Sequence, residues 1–284
     1  MDEIKRISPN YIDELTRKEG FVRPLLVKDY YLTVILYLIK YVEGIYFKGG
    51  TALNKVILNH ARLSEDIDFT LTRNVGEVRN EISEILNKSK LFGEIGEGKN
   101  VDDFLRMTVK YKSELGEGEI FIDLNKRGEL ILPSEVHELK HFYYPFIPKF
   151  SVKTLAKEEL IAEKVAASIG RNKPRDHFDV YKIIKAGIPI NLDIVKKKCI
   201  SSGNEFSIIK MFNQAKKLKN RWDKDMLSLI SEDISFQEII KFYLNILSSK
   251  KKKQARSLRN DSLSIIYNGL KNKTLLGVNC NLNT

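Results

Sequence analysis

Two apolar periodicities run along this chain, and the switches between them mark its elements. Residues 8–18 read as a short helix that Ser8 can cap and Gly20 can end. Pro24 opens a longer helix to about Val42, apolar nearly all round through Leu25, Leu26, Tyr30, Leu32, Val34, Leu36, Leu38 and Ile39. Such a helix is expected to lie buried against a sheet. Gly44 to Phe47 is a short apolar strand bounded by glycine. After Gly49 and Gly50, the residues Leu53, Val56 and Ile57 make a helical stripe that Thr51 can cap. The next stretch alternates strictly, with Ile67, Phe69 and Leu71 on one face and Asp66 and Asp68 on the other. Val75 to Lys90 reads as a helix, and Gly93, Gly96 and Gly98 as a loop. Phe104 to Tyr111 and Glu119 to Leu124 alternate as strands around a turn at Glu114 to Gly118. Val152 to Gly170 returns to helical spacing, and Pro174 opens another helix. Gly187-Ile188-Pro189 breaks the pattern. Beyond it come several helices, Glu205–Lys219 and Phe236–Leu247 among them, and a polar end from Asn272 that reads as frayed. The pattern predicts an α+β fold: a small mixed sheet framed by helices over residues 1–187, and a helical region over 188–284.

Composition narrows the class. With 43% hydrophobic and 30% charged residues, the chain has the make-up of a soluble globular protein. No apolar run approaches the ~18 residues that span a bilayer. Residues 31–39 are apolar, but Lys28, Asp29, Lys40 and Glu43 bracket them, which suits a packed helix. The start, Met-Asp-Glu-Ile-Lys-Arg, has no apolar signal core. Cys199 and Cys280 lie far apart and indicate neither a zinc motif nor a disulfide framework, so a reducing cytoplasm is the expected compartment. The net charge is +11. It either solvates the surface or meets a polyanion such as RNA. Lys250 to Arg259, with six basic residues in ten, carries the same two readings.

The candidate chemistry gathers at residues 47–69. Gly49 and Gly50 let the backbone turn tightly and approach a ligand. The free N–H groups of the following helix start form an anion site suited to phosphate. Asp66 and Asp68 repel each other unless a cation sits between them, and hard oxygen ligands suit Mg²⁺ bridging to substrate phosphates. A phosphate-binding turn before a paired-aspartate strand describes a nucleotide site. Asp123 interrupts an apolar strand end, where a carboxylate is uncommon unless paired or liganded; it can also start the turn at Asn125-Lys126-Arg127-Gly128. His137-Glu138-Leu139-Lys140-His141 matches the H-E-x-x-H of zinc proteases, which requires a helix. Pro133 and Pro145 leave that helix barely two turns, and no third ligand is evident. Lys164 lies at the edge of an apolar helical stripe, as a snorkelling lysine does. Asp176 and Asp179 share a face in a first helical turn, where acidic residues are ordinary dipole partners.

Gly49-Gly50-Thr51, a helix, then Arg62-Leu63-Ser64-Glu65-Asp66-Ile67-Asp68-Phe69 resembles the AbiEii-type toxin family of nucleotidyltransferases, within the DNA polymerase beta-like superfamily. The resemblance is specific in this core motif and extends, more weakly, to about residue 187. It implies a nucleotidyltransferase-like sheet and transfer of a nucleoside monophosphate from an NTP to an acceptor. It implies Asp66, Asp68 and Asp123 holding two Mg²⁺ (or Mn²⁺) ions, with Gly49, Gly50 and Thr51 cradling the terminal phosphates. Lys55, Lys164 and Arg175 would then offset negative charge, with Asp176 as a further functional carboxylate and Asp179 orienting its neighbours. It further implies a toxin with a cognate antitoxin protein, acting on RNA such as tRNA; that no membrane is involved is expected from the lack of a spanning apolar run. Two other readings are a catalytically silent nucleotide- or RNA-binding module, and a zinc hydrolase through His137, Glu138 and His141.

Overall fold

The structure, a computed structural model, describes residues 4–171, 173–207, 210–211 and 215–253. The polar end from Asn272 and the basic stretch beyond Lys253 lie outside the described residues.

The chain divides into two compact units, Met1–Ile161 with Met226–Asp233, and Ala162–Asp225 with Ile234–Thr284. The division expected at Gly187 followed a break in periodicity, whereas the compact units part within a continuous helix.

The first unit is built on one seven-stranded mixed sheet. Helix α1 (Pro9–Glu19) is capped by Ser8, whose Oγ accepts from the Tyr11 N–H, and it ends where Gly20 takes φ 75°. Helix α2 (Arg23–Leu38) buries most of its circumference, as its lack of a polar face predicted. It stops four residues before Val42, because Ile39 and Val42 stay buried in the turn that follows.

Strand β1 (Ile45–Lys48) runs directly into α3 (Gly49–Ala52), which opens into a π-helical turn over Leu53–Ile57. Its mark is the bond from the Leu58 N–H to the Leu53 carbonyl. The regular stripe expected from Leu53, Val56 and Ile57 is therefore a wider turn. Asn54 holds it, donating to the Gly50 carbonyl at 3.0 Å and accepting from the Arg62 N–H at 3.2 Å.

Strands β2 (Asp66–Leu71), β3 (Ile95–Val101), β4 (Phe104–Ser113) and β5 (Gly116–Asn125) follow, with helix α4 (Val75–Ser89) between β2 and β3. The glycine-marked segment before β4 is a strand, not a loop. It is an edge strand with no buried residue, so it lacks the alternation that reveals a strand in sequence. Strands β6 (Glu135–Glu138) and β7 (Ser151–Thr154) complete the order β3-β4-β5-β2-β1-β7-β6. Val152, expected at a helix start, lies in β7. Helix α5 begins at Lys157 and runs to Gly170.

The apolar faces of these strands set the core: Ile67, Phe69, Met107, Val109, Ile120, Ile122 and Leu124 are all 2% exposed or less. The same alternation puts Asp66, Asp68, Arg106, Phe121 and Asp123 on the opposite face.

The second unit is helical in its described part. It holds most of α5, then α6 (Pro174–Lys185), α7 (Leu192–Ser201), α8 (Ala215–Met226) and α9 (Phe236–Lys253). Of the helix expected over Glu205–Lys219, 205–207 carry no regular structure, 210–211 and Ala215 onward are helical, and 208–209 and 212–214 lie outside the described residues. Trp222 packs on Phe236 and donates to the Ile234 carbonyl at 2.9 Å.

Candidate active site

Strand register brings the carboxylates into line. Strand β1 pairs antiparallel with β2, setting Lys48 opposite Asp68. Strand β2 pairs parallel with β5, setting Asp68 opposite Asp123. Strand β4 pairs antiparallel with β5, setting Asp123 opposite Arg106. Directly paired residues share a sheet face. Asp66 lies two residues back on that same face, opposite Phe121.

The turn at Gly49 presses onto this row. Gly49 takes φ 75°, and a side chain there would collide with the Asp68 carboxylate. At Gly50, an added Cβ would lie 2.6 Å from Arg62 Nη2. Arg62 is only 1% exposed and donates from Nη1 to the Leu63 carbonyl at 2.8 Å. Both glycines thus make room for protein groups: one for the aspartate, the other for the arginine that braces the turn.

Two expected phosphate contacts are placed elsewhere. Thr51 does not cap the helix. It is buried and its hydroxyl donates to the Asp66 carbonyl, tying the turn to β2. Lys55 is 1% exposed, with Nζ 2.8 Å from Asp29 Oδ1 and 3.1 Å from Thr33 Oγ1. Tyr143 Oη adds a donor to Asp29 at 3.1 Å. A lysine enclosed in this way braces the core and cannot reach a solvent-borne phosphate. The π turn aims it inward, which no helical spacing foretells.

Asp123 is committed to Arg106. Nε meets Oδ1 and Nη2 meets Oδ2, each at 2.7 Å, a bidentate fork. Among the described residues, no group of three or more His, Cys, Asp or Glu side chains is gathered to hold a metal ion. Asp66 and Asp68 offer adjacent hard oxygen donors on one face, which suits Mg²⁺ or Mn²⁺. The third carboxylate is in register with them but held by an arginine.

In the second unit, Lys164 and Asp176 are brought together. Lys164 Nζ lies 2.9 Å from Asp176 Oδ1 and 3.1 Å from Asp179 Oδ2. Arg171 forks Asp176 through Nε at 2.7 Å and Nη2 at 3.1 Å. Burial opposes ionisation of Asp176, but Lys164 and Arg171 outweigh it and hold the carboxyl far below its ordinary value. Lys164 is no snorkelling lysine, since it is 5% exposed. Arg175 sits half-buried on α6, while the guanidinium that reaches Asp176 belongs to Arg171. Arg62 stood in the sequence motif without a role, and Arg106 and Arg171 escaped the sequence reading. Arg106 gave a faint signal as a cation within an alternating strand, but its partner depends on register.

The zinc reading fails. His137 and Glu138 lie on strand β6, so they point to opposite faces. His137 Nε2 lies 2.7 Å from Glu135 Oε2. His141 is 3% exposed, and its Nδ1 accepts from the Tyr143 N–H at 3.1 Å. The flanking prolines leave no helix to align the two rings.

No helix among the described residues is long and apolar enough to cross a membrane.

Comparison with known proteins follows the same lines. No curated protein matches the chain. MenT4, a nucleotidyltransferase toxin from Mycobacterium tuberculosis, superposes with a TM-score of 0.54 at 24% identity, over 74% of this chain and 72% of its own. JHP933 from Helicobacter pylori gives a TM-score of 0.53 at 17% identity, over 90% of this chain and 97% of its own. At these identities the likeness shows a shared fold. A family described as nucleotidyl transferase AbiEii toxin, type IV toxin–antitoxin system, matches residues 32–242, well over half of the sequence. The chain therefore belongs to the AbiEii family of nucleotidyltransferase toxins of type IV toxin–antitoxin systems.

Proposed function

We propose that the protein transfers a nucleoside monophosphate from an NTP to a hydroxyl of an RNA acceptor of the tRNA class, using Mg²⁺ or Mn²⁺. One observation carries the reading: Asp66 and Asp68 share a face of β2, with Asp68 lying against the Gly49 turn. In the reaction, the acceptor oxygen bonds to the α-phosphorus while the bond from that phosphorus to the β-phosphate oxygen breaks. Pyrophosphate leaves and the acceptor proton passes to solvent. A divalent cation supplies charge neutralisation and lowers the pKa of the attacking hydroxyl. Asp66 and Asp68 would hold it. Gly49 keeps the backbone close to the Asp68 carboxylate, Gly50 leaves room for Arg62, and Asn54 holds the turn through the Gly50 carbonyl and the Arg62 N–H. Lys164, Arg175 and Asp176 are carried as functional residues by family resemblance. The pairing of Lys164 with Asp176 supports treating those two as one unit.

Family membership implies an antitoxin as protein partner. Incubation with each labelled NTP and total cellular RNA, with and without Mg²⁺, tests the reading. Labelled RNA that requires the cation and Asp68 is expected. NTP binding without any labelled product would instead leave a silent binding module.

A further inference from the structure

One charged row on the sheet face does more than the proposed reaction requires. Across four strands it runs Lys48, Asp68, Asp123, Arg106: cation, carboxylate, carboxylate, cation. Arg106 uses both Asp123 oxygens. Its guanidinium carbon lies 5.0 Å from the Phe121 ring centroid, and Phe121 is the register partner of Asp66. The hydrogen bonds to Asp123, and the charges of Asp123, Asp66 and Asp68, all stabilise its cationic form. Arg106 is thus bonded to Asp123 and lies within the field of Asp66 and Asp68. A guanidinium fork matches phosphate oxygens as well as it matches a carboxylate.

Resting on the proposed reaction, we infer that Arg106 is a built-in competitor of the divalent cation for Asp123, released only when nucleotide phosphates draw its guanidinium away. Metal and Arg106 need the same oxygens and carry the same sign of charge, so they exclude one another at Asp123. The free protein then holds metal weakly, through Asp66 and Asp68 alone. An arriving nucleotide supplies the fork with phosphate oxygens, frees Asp123 and completes the three-carboxylate site. By linkage, metal and nucleotide each tighten the binding of the other.

The test is Mn²⁺ binding to the full chain without nucleotide, followed by the electron paramagnetic resonance signal of free Mn²⁺. It compares wild type, Asp123→Asn, Arg106→Gln and the double variant. Arg106→Gln should tighten Mn²⁺ about tenfold, within the ~5–150-fold span common for coupled sites. Asp123→Asn should reverse the whole gain in the Arg106→Gln background and cost less in wild type than it does there. Arg106→Lys, a point charge without a fork, should fall between wild type and Arg106→Gln. Thermal unfolding confirms that each variant is folded. Equal Mn²⁺ affinity in wild type and Arg106→Gln overturns the inference. So does an Asp123→Asn loss as large in wild type as in Arg106→Gln. Asp68→Asn separates the inference from the reading beneath it. If it leaves Mn²⁺ affinity unchanged, the metal reading of the site falls and takes this inference with it; if it weakens binding, only the role of Arg106 is at stake.

Discussion

At the scale of single residues, Asp68 and Lys55 differ in exposure and in the role expected of each. Asp68 is half-buried on the sheet face opposite the core and is expected to act on substrate. Asp68→Asn keeps the shape and removes the charge, so RNA labelling should fall to background while the circular dichroism spectrum is unchanged. Full turnover by that folded variant would remove Asp68 from the site. Lys55 belongs to the other kind. Its ion pair with Asp29 is almost wholly enclosed, and removing one partner strands a buried charge. Lys55→Ala should cost ~3–5 kcal/mol in urea unfolding, the usual loss for a broken buried pair. A stability change below about 1 kcal/mol, with weakened NTP binding, would restore Lys55 to the phosphate site.

At the scale of elements, the site depends on how β1, α3 and β2 meet. The Gly49 φ of 75° lies where an L side chain costs ~1–2 kcal/mol, and the Asp68 carboxylate fills the space a side chain needs. Gly49→Ala should therefore lower stability by at least that amount and displace Asp68, with transfer lost together with Mn²⁺ affinity. Unchanged Mn²⁺ binding would show that Asp68 does not depend on the turn. Gly50→Val meets the Arg62 guanidinium. It should weaken NTP binding through the loosened turn, and an unchanged calorimetric affinity would place the phosphates elsewhere.

At the scale of the whole molecule, pH and salt are the natural probes. Burial lowers the His177 pKa to about 4, so the folded chain refuses a proton that the unfolded chain accepts below its ordinary 6.5. Stability is therefore full above pH 6.5. It falls as pH drops from 6.5 to 4, by up to ~1.4 kcal/mol per pH unit for this histidine. His141, also lowered to about 4 by burial, acts in the same direction. Asp176 adds a later loss: its depressed carboxyl contributes fully above its ordinary 3.8 and progressively less below it. Urea midpoints between pH 7 and 4.5 should fall accordingly, and His177→Asn should flatten the slope. A flat wild-type profile would refute the buried neutral imidazole. For salt, the +11 charge and the basic run from Lys250 to Arg259 predict RNA affinity that falls with ionic strength. Replacing Lys251, Lys252 and Lys253 with Ser should reduce the log–log slope by about 0.7 for each RNA phosphate that is no longer neutralised. Equal slopes would leave those lysines as a solvated face.

What the sequence determined by itself was local and periodic. Alternation assigned β2, β4 and β5 and put Asp66 and Asp68 on one face, because a strand's side-chain period of two is a property of the backbone. Ser8 and Gly20 bounded α1 because caps act within one helical turn. The motif at residues 49–69 carried the family, since close spacing between a turn and a strand survives in sequence. What depended on register or on distant partners was decided only by the tertiary structure. The edge strand β3 has no buried face to show in sequence, and pairing with β4 makes it a strand. Lys55 was drawn inward by Asp29, which lies 26 residues away. Asp123 met Arg106 across a strand pair, 17 residues apart in the chain. For Lys55 no local spacing encodes the partner, whereas Arg106 meets Asp123 through the register of one hairpin, which the exact length of its turn decides.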